Sequence, residues 1–441
     1  MKLINKEIND KYTDLHLFNN FIDQKVTLKG NIHKVRNMKE FSFIILRTER
    51  ELIQCIFSKQ VSNFDIFAIN EGDFVIVDGI MVKDNRSKSG YEIQINNIEV
   101  LSSLSEDLPF TINSKVLDLT TDTKLKYRSI SLRHPKERAI FKIQEGIVRG
   151  FRDYLYKQNF TEIHTPKLVS NGAEGGANVF ELDYFGKKAY LAQSPQIYKQ
   201  AMVGVFDRVF EVAPVFRAEK HSTNRHLNEY ISLDLEMGFI DSYEEIMKME
   251  TAMLSHIISL LNDMYRNELN LFNVELPIIN EIPAISFNEA KKILSQINPS
   301  IDEDHDDLSP EEERLLGKHA KDNYNSDFLF ITKFPSSKRP FYTMNDKENE
   351  MQTLSFDLLF KGIEITTGGQ RIHDYEMQLE KLISRGLNPV DFENYLIIHK
   401  YGIPPHGGLG LGLERLTMKL LNLNNAKLAS LFPRDINRLT P

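Results

Sequence analysis

The sequence changes texture once, near residue 105, and that break limits the possible fold more than any other feature. Before it, β-branched and aromatic residues gather into short runs: Val26–Lys34, Phe43–Leu46, Leu52–Phe57, Phe74–Val82 and Tyr91–Val100. Several alternate apolar with polar, the period that buries one face of a strand and wets the other. Turn-forming stretches separate them, including Asn37-Met38-Lys39-Glu40 and the segment from Asp84 to Gly90. Strands this short and this closely spaced suit a small β-barrel, and an oligonucleotide-binding (OB) barrel is one candidate.

The break, Ser102-Ser103-Leu104-Ser105-Glu106-Asp107-Leu108-Pro109, is polar and ends in proline, as a linker does. Beyond it, Ala139, Ile143, Ile147, Phe151 and Leu155 recur every fourth position, predicting an amphipathic helix over Pro135–Gln158. Strand-like stretches (Phe160–Pro166, Val209–Phe216, Ile231–Phe239, Ile363–Thr367) then mix irregularly with helical ones (Tyr243–Tyr265, Tyr375–Ser384, Glu414–Leu423). This predicts an α+β domain on one large, mostly antiparallel sheet flanked by helices. The expected division is a barrel over 1–105, a linker or hinge over 106–134 and a second domain over 135–441. The acidic stretch Asp302–Glu313 reads as a solvated loop and helix start.

Composition narrows the function classes. The net charge of −8 provides no global positive field to draw nucleic acid non-specifically, although a local basic face stays open. The single cysteine, Cys55, excludes an intramolecular disulfide and a paired-cysteine metal knuckle. The opening MKLINKEIND lacks a signal-peptide-like apolar stretch, and no window approaches ~18 consecutive apolar residues. The expectation is a cytoplasmic protein with no membrane contact.

Four segments carry chemistry. The stretch from Val215 to Glu229 sets Arg217, Glu219, Lys220, His221, Arg225 and His226 in a loop between apolar strands. Guanidinium groups are planar, permanently charged forks suited to phosphate, and two of them near a carboxylate suit an ATP pocket. The run from His406 to Leu416 places glycines at every second or third position before a helix carrying Arg415, which permits close backbone approach to a ligand. In the segment from Ser355 to Arg371, Glu364 alternates with Ile363 and Ile365 on an apolar strand. A carboxylate there is costly unless paired or metal-bound, and with phosphates nearby Asp357 and Glu364 would suit Mg²⁺. Finally, the glycine-flanked Glu174 reads as a mobile lid able to hold an ammonium group, and Lys199 in QSPQIYKQ could hold a carboxylate.

Taken in order, these segments resemble the class II aminoacyl-tRNA synthetases, and within them the aspartyl-tRNA synthetases of the short, archaeal type. FTEIHTP resembles the first class motif, FRAEKHSTNRHLNE the second and GLGLGLERL the third. The resemblance covers nearly the whole chain and lacks the family's large bacterial insertion and its basic eukaryotic N-terminal extension. It implies activation of aspartate with ATP and Mg²⁺, followed by transfer to tRNA(Asp) and, in a non-discriminating enzyme, to tRNA(Asn).

The roles implied by the resemblance are these. Arg217 bridges the aspartate carboxylate and the α-phosphate, with Glu219 near the adenine. Arg225 and His226 hold the outer phosphates with Arg415, and Ala218, Leu227, Gly412, Leu413 and Glu414 also belong to the ATP site. Glu364, Thr367 and Asp357 serve Mg²⁺. Glu174 meets the substrate ammonium, while Gln196, Ile197, Tyr198, Lys199, Thr367 and Arg371 surround the aspartate. Phe43, Gln54 and Glu92 match anticodon-reading positions, with Arg36 adding positive charge, and a ring that stacks a base beside groups that read its edge is ordinary single-strand RNA recognition. Phe43 also has a reading as a barrel-core residue. Pro166 is expected at a homodimer interface.

Two positions depart from the family pattern. Arg128-Ser129-Ile130-Ser131-Leu132-Arg133 stands where the family usually reads close to RYLDLR, and Tyr230 stands where some relatives carry phenylalanine against the adenine. The alternatives are an asparaginyl-tRNA synthetase, which Lys199 disfavours because a buried cation prefers a carboxylate to an amide, and an inactive RNA-binding paralogue.

Overall fold

The structure is a computed structural model that describes residues 12–13, 20–49, 51–87, 89–170, 178–220, 223–301 and 306–440. They form two compact units, one ending at Asp118 and the other starting at Leu119.

In the first unit, β1 (Lys25–Asn37), β2 (Phe41–Arg47), β3 (Leu52–Ser58), β4 (Phe74–Lys83) and β5 (Tyr91–Ser102) close into a barrel in the order β1-β2-β3-β5-β4. Each β-rich run of the sequence is a strand. Alternation decides what fills the barrel: Ile44 and Leu46, Ile53 and Cys55, and Tyr91, Ile93 and Ile95 point inward. Burial pushes the Cys55 thiol far up, so it behaves as a small inert hydrophobe. Residues 106–118, part of the expected linker, stay with the barrel, where Asn113 donates its amide to His33 O at 3.2 Å and to Glu71 at 2.6 Å.

The second unit opens with α1 (Thr121–Lys126), α2 (Arg128–Ser131) and α3 (Pro135–Lys157), so the rest of the expected linker is helical. Next come β6 (Thr161–Glu162), β7 (Leu168–Val169), β8 (Glu181–Tyr184), β9 (Lys187–Leu191), α4 (Gln196–Phe206), β10 (Arg208–Phe216) and β11 (Glu229–Gly238). The helices α5 (Glu244–Met264) and α6 (Arg266–Asn270) precede β12 (Ala284–Ser286), α7 (Phe287–Ile297), α8 (Pro310–Tyr324) and β13 (Phe328–Thr332). The unit ends with β14 (Ser355–Phe360), β15 (Ile363–Gln370), α9 (Tyr375–Ser384), α10 (Glu393–Lys400), β16 (His406–Gly412) and α11 (Leu413–Leu420).

An eight-stranded sheet runs β12-β13-β14-β15-β16-β11-β10-β6 and is antiparallel except at its two edge pairs, while β7, β9 and β8 form a separate small sheet. Period two again sorts the faces. Leu233 and Leu235 of β11, Phe356 and Leu358 of β14, Ile365 of β15 and Leu409 and Leu411 of β16 join the apolar core, which includes Ile143, Ile147 and Phe151 of α3 and Ile257 and Leu261 of α5. Their neighbours Asp234, Asp357, Gly410 and Gly412 line a cavity, as do Glu364 and Thr367 of β15, where a break in register opposite Leu358 and Leu359 lets Ile365 reach the cavity as well. One face of the sheet is the hydrophobic wall, and the other is the floor of the site.

The acidic stretch differs from its expectation. Residues 302–305 lie outside the described residues, and a helix does start at Pro310, with Ser309 and Glu312 capping each other. Yet Glu312 and Glu313 are buried rather than solvated, each satisfied by a cation from a distant segment: Lys291 at 2.6 Å and Arg225 at 2.8 Å.

Candidate active site

The cavity has a volume of about 350 Å³ and is lined by residues of α4, β11, β14, β15, β16 and α11 and by the loop after β10. Of the residues expected at the site, Gln196, Lys199, Arg217, Glu219, Arg225, His226, Leu227, Asp357, Glu364, Thr367, Arg371, Gly412, Glu414 and Arg415 all face it. Ile197, Tyr198, Ala218 and Leu413 do not line it. Helical spacing explains the first two, since Gln196 and Lys199 lie three apart on one face while Ile197 packs beside Phe341 and Tyr395. Leu413 is part of the core, and the Ala218 N–H donates to Asn178 O at 2.8 Å. Glu174 lies outside the described residues, as does His221. Pro166 is exposed and away from the cavity.

At one end, two buried cations meet two buried acids. Lys199 Nζ lies 2.8 Å from Asp234 Oδ1 and 3.3 Å from Glu236 Oε2, and it donates to Leu409 O at 2.9 Å. Arg371 Nε donates to Glu236 at 2.9 Å, and its Nη2 reaches Gly408 O at 3.0 Å and Gln196 Oε1 at 3.4 Å. Burial alone would raise the Glu236 carboxyl, but Arg371 and Lys199 hold it below the ordinary range. Asp234 and Glu236 were not anticipated. The signal was available, because ISLDLEM places acids on an apolar alternating strand just as Glu364 does.

The other end is more open. The Arg217 guanidinium lies 5.8 Å from the Tyr230 ring centroid, and Arg415 Nη1 sits 3.6 Å from Glu364 and donates to its carbonyl at 3.0 Å. Arg225 is held at 2.8 Å by Glu313, whose same oxygen accepts the Glu364 N–H at 3.1 Å, and His226 lies 3.6 Å from Glu219. Burial pushes the Asp357 carboxyl up to about 7; Arg339, 2.8 Å away, opposes the rise and the neighbouring Glu364 adds to it. Burial would raise Glu364 as well, but Arg415, Arg217 and Arg339 outweigh it and hold that carboxyl down. Thr367 donates to Glu364 at 3.1 Å. Glu414 turns to the backbone and accepts the Ile231 N–H at 3.1 Å, and burial pushes its carboxyl up to about 8.

The glycines divide into two kinds. A Cβ on Gly408 would lie 2.1 Å from Leu235 O and 2.2 Å from Glu236 Oε2, so that residue is glycine for packing within the chain. Gly412 has no such neighbour nearer than 3.9 Å and opens into the cavity, leaving backbone accessible to a ligand.

In the barrel, Arg36, Phe43, Gln54 and Glu92 fall on the successive neighbours β1, β2, β3 and β5. Arg36 pairs with Phe43 across the first ladder. Phe43 is half-buried on the outer face, 5.2 Å from Phe41, and is not a core residue. Gln54 donates to Glu92 at 3.1 Å. The ring and guanidinium adjoin across β1 and β2 and the amide and carboxylate across β3 and β5, with Glu92 buried at 6% exposure.

The succession of a five-stranded barrel and a larger, mostly antiparallel sheet has its counterpart in the comparison with known proteins. Residues 120–436 match the family model for class II tRNA synthetases (D, K and N), and residues 26–101 match the OB-fold nucleic acid binding domain. The chain belongs to the class II tRNA synthetases. It is 46% identical to the aspartate–tRNA(Asp/Asn) ligase of Thermus thermophilus, covering 95% of this chain and 97% of that one. It is 40% identical to the aspartate–tRNA(Asp) ligase of Pyrococcus horikoshii, covering 95% and 96%. Among solved structures, the asparaginyl-tRNA synthetase of Pyrococcus horikoshii complexed with asparaginyl-adenylate superimposes with a TM-score of 0.91 at 31% identity, over 98% of this chain and 100% of that one. Among the described residues no helix is long and apolar enough to cross a membrane.

Proposed function

We propose that the protein is an aspartate–tRNA ligase. The observation that carries this reading is a single cavity with Lys199 and Arg371 at one end and Arg217, Arg225 and Arg415 around two carboxylates at the other. The cations at the first end suit the side-chain carboxylate of aspartate, and the guanidinium forks at the second suit a triphosphate. The relatives at 46% and 40% identity carry aspartate in their names, which favours aspartate over asparagine despite the fold likeness to an asparaginyl enzyme.

In this reading the α-carboxylate of aspartate attacks the α-phosphorus of ATP in line, pyrophosphate leaves, and the terminal ribose hydroxyl of tRNA then attacks the mixed anhydride. A carboxylate is already nucleophilic at neutral pH, so the first step needs no general base. The protein contributes position and charge. Arg217 spans the reacting carboxylate and α-phosphate, Tyr230 offers a ring for the adenine, and Arg225, His226 and Arg415 hold the outer phosphates. Glu174 is the proposed partner of the substrate ammonium.

Asp357, Glu364 and the Thr367 hydroxyl fit a hard divalent cation. The two acids sit close enough to perturb each other, and among the described residues no cluster of three or more His, Cys, Asp or Glu could hold a metal unaided. Mg²⁺ commonly completes its shell with phosphate oxygens and water, and here it would neutralise the charge of the departing pyrophosphate.

The barrel row of Arg36, Phe43, Gln54 and Glu92 is the proposed anticodon reader, and Pro166 is placed in a homodimer interface by analogy with the family. The domain division proposed is an anticodon barrel over 1–105, a hinge over 106–134 and a catalytic domain over 135–441. The acceptor is tRNA(Asp); the Thermus relative's name adds tRNA(Asn) as a second candidate. ATP–pyrophosphate exchange with aspartate and with asparagine tests the assignment. Exchange that depends on aspartate supports it, and exchange with asparagine alone overturns it. Charging of both tRNAs then separates a discriminating enzyme from a non-discriminating one.

A further inference from the structure

Arg128, in the segment that departs from the family pattern, is among the largest fully buried side chains of the chain, at 2% exposure. It does not line the cavity. Its guanidinium instead gathers three carbonyls of one distant segment: Nε donates to Leu431 O at 2.8 Å, and Nη2 to Leu428 O at 3.0 Å and Ser430 O at 2.7 Å. Phe141 covers it at 5.2 Å, and Glu137 Oε2 lies 4.0 Å from Nη1. Gln144 of α3 takes a fourth carbonyl, that of Ala429. A buried cation spent on a row of main-chain carbonyls fixes that row's path, because five donors in a rigid plane leave the acceptors little freedom.

The segment so fixed is tied to the loop after β10 on either side of the row. The Ala426 N–H donates to Asn224 O at 2.8 Å, and Arg434 O accepts the Asn228 N–H at 2.8 Å beside a Glu229–Arg434 bridge. Asn228 in turn donates its amide to Arg217 O at 2.7 Å and to Glu219 O at 3.1 Å. Ala426 itself lines the cavity and packs with Leu227. The residues between those ties, Arg225 to Leu227, all face the cavity.

We infer that Arg128 is a positioning residue for the outer-phosphate part of the site: it holds residues 426–434 as a strap whose two ends set the span from Asn224 to Asn228 and with it the placing of Arg225 and His226. The inference rests on the ATP reading of that loop. No hydrogen bond of this chain of contacts passes through Lys199 or Arg371, so the amino-acid end is outside its reach. Ser129 and Ile130 take no part in the clamp, which accounts for the segment tolerating change there while the arginine does the holding.

The test uses the full-length protein and two variants. Arg128→Lys keeps the charge but replaces the fork by one point donor. Ala426→Pro deletes the N–H given to Asn224 at a first helical position, which proline tolerates, after a residue whose backbone is already extended. Each is expected to raise the KM for ATP about fivefold to tenfold in aspartate-dependent pyrophosphate exchange, with the KM for aspartate within about twofold of the parent. A purely structural role would instead lower the active fraction or raise both KM values together, and either result overturns the inference. Should Arg128→Lys fail to fold, Ala426→Pro decides alone, and an unchanged KM for ATP in it is sufficient to discard the strap. Failure of the parent protein to exchange ATP would count against the functional assignment rather than against the strap.

Discussion

The two ends of the cavity are built on different principles. At the end proposed for aspartate the side chains of Lys199 and Arg371 are 2% and 6% exposed and locked by carboxylates that are themselves buried. At the end proposed for the nucleotide Arg225 and Arg415 are 18% and 23% exposed, and their loop or helix positions depend on contacts from other segments. A pre-formed, saturated cluster suits the choice between two small amino acids, because an unmatched ligand leaves paired groups unsatisfied. A looser cluster suits a large polyanion that brings its own charge and can draw the arginines around it.

The sharpest break of this comparison would come from Lys199→Met. Removing one partner of a buried cluster leaves acids uncompensated, so a loss of about 3–5 kcal/mol in denaturant-induced unfolding is expected. A loss below ~1 kcal/mol would mean the aspartate end is not locked. Next in size, Arg217→Ala should lower aspartate-dependent pyrophosphate exchange by ~10²-fold or more, about 3 kcal/mol of transition-state stabilisation. Near-parent exchange would remove Arg217 from the chemistry.

Behind the sheet lies a third environment. Glu250 of α5 is 0% exposed and is pushed by burial up to about 8. A carboxyl whose folded value exceeds its unfolded value keeps its proton in the native state. Its contribution is complete below the unfolded value, near 4.5, and is lost as pH rises through about 8. The ligand-free protein should therefore lose about 2 kcal/mol from this group between pH 6 and pH 8, and Glu250→Gln should flatten that part of the profile. A slope unchanged in the variant would assign the pH dependence elsewhere. The smallest effect is reserved for Arg415→Ala. Its part-exposed pair with Glu364 should contribute under ~1 kcal/mol to stability while exchange falls clearly, and a large drop in melting temperature would erase the distinction between the ends.

Much of this was legible before any coordinates. Runs of β-branched and aromatic residues located every barrel strand, and alternation singled out Glu364 on an otherwise apolar strand. It could also have found Asp234 and Glu236, whose pattern on β11 is equally telling. Glu313 and Arg339 were beyond reach for a different reason. They arrive from segments remote from Arg225 and from the loop after β10, and nothing local in an acidic helix start or a proline-rich turn tells which carboxylate will be buried against an arginine. The glycines of β16 were read as one feature, yet only steric surroundings distinguish Gly408, crowded by its own chain, from Gly412, open to a ligand. Ile197 and Tyr198 came from the family resemblance; the three-residue helical step brings Gln196 and Lys199 to the cavity and leaves these two out of its lining.

Closure of the barrel has its own consequence. The strands form a closed ring, although β3 and β5 are joined at only two residue pairs, so little main-chain edge is left for a partner to lengthen the sheet. If the proposed anticodon reader is right, discrimination there falls mainly to the side chains of Arg36, Phe43, Gln54 and Glu92. Preference on that surface can thus drift by single substitutions while the scaffold beneath stays untouched.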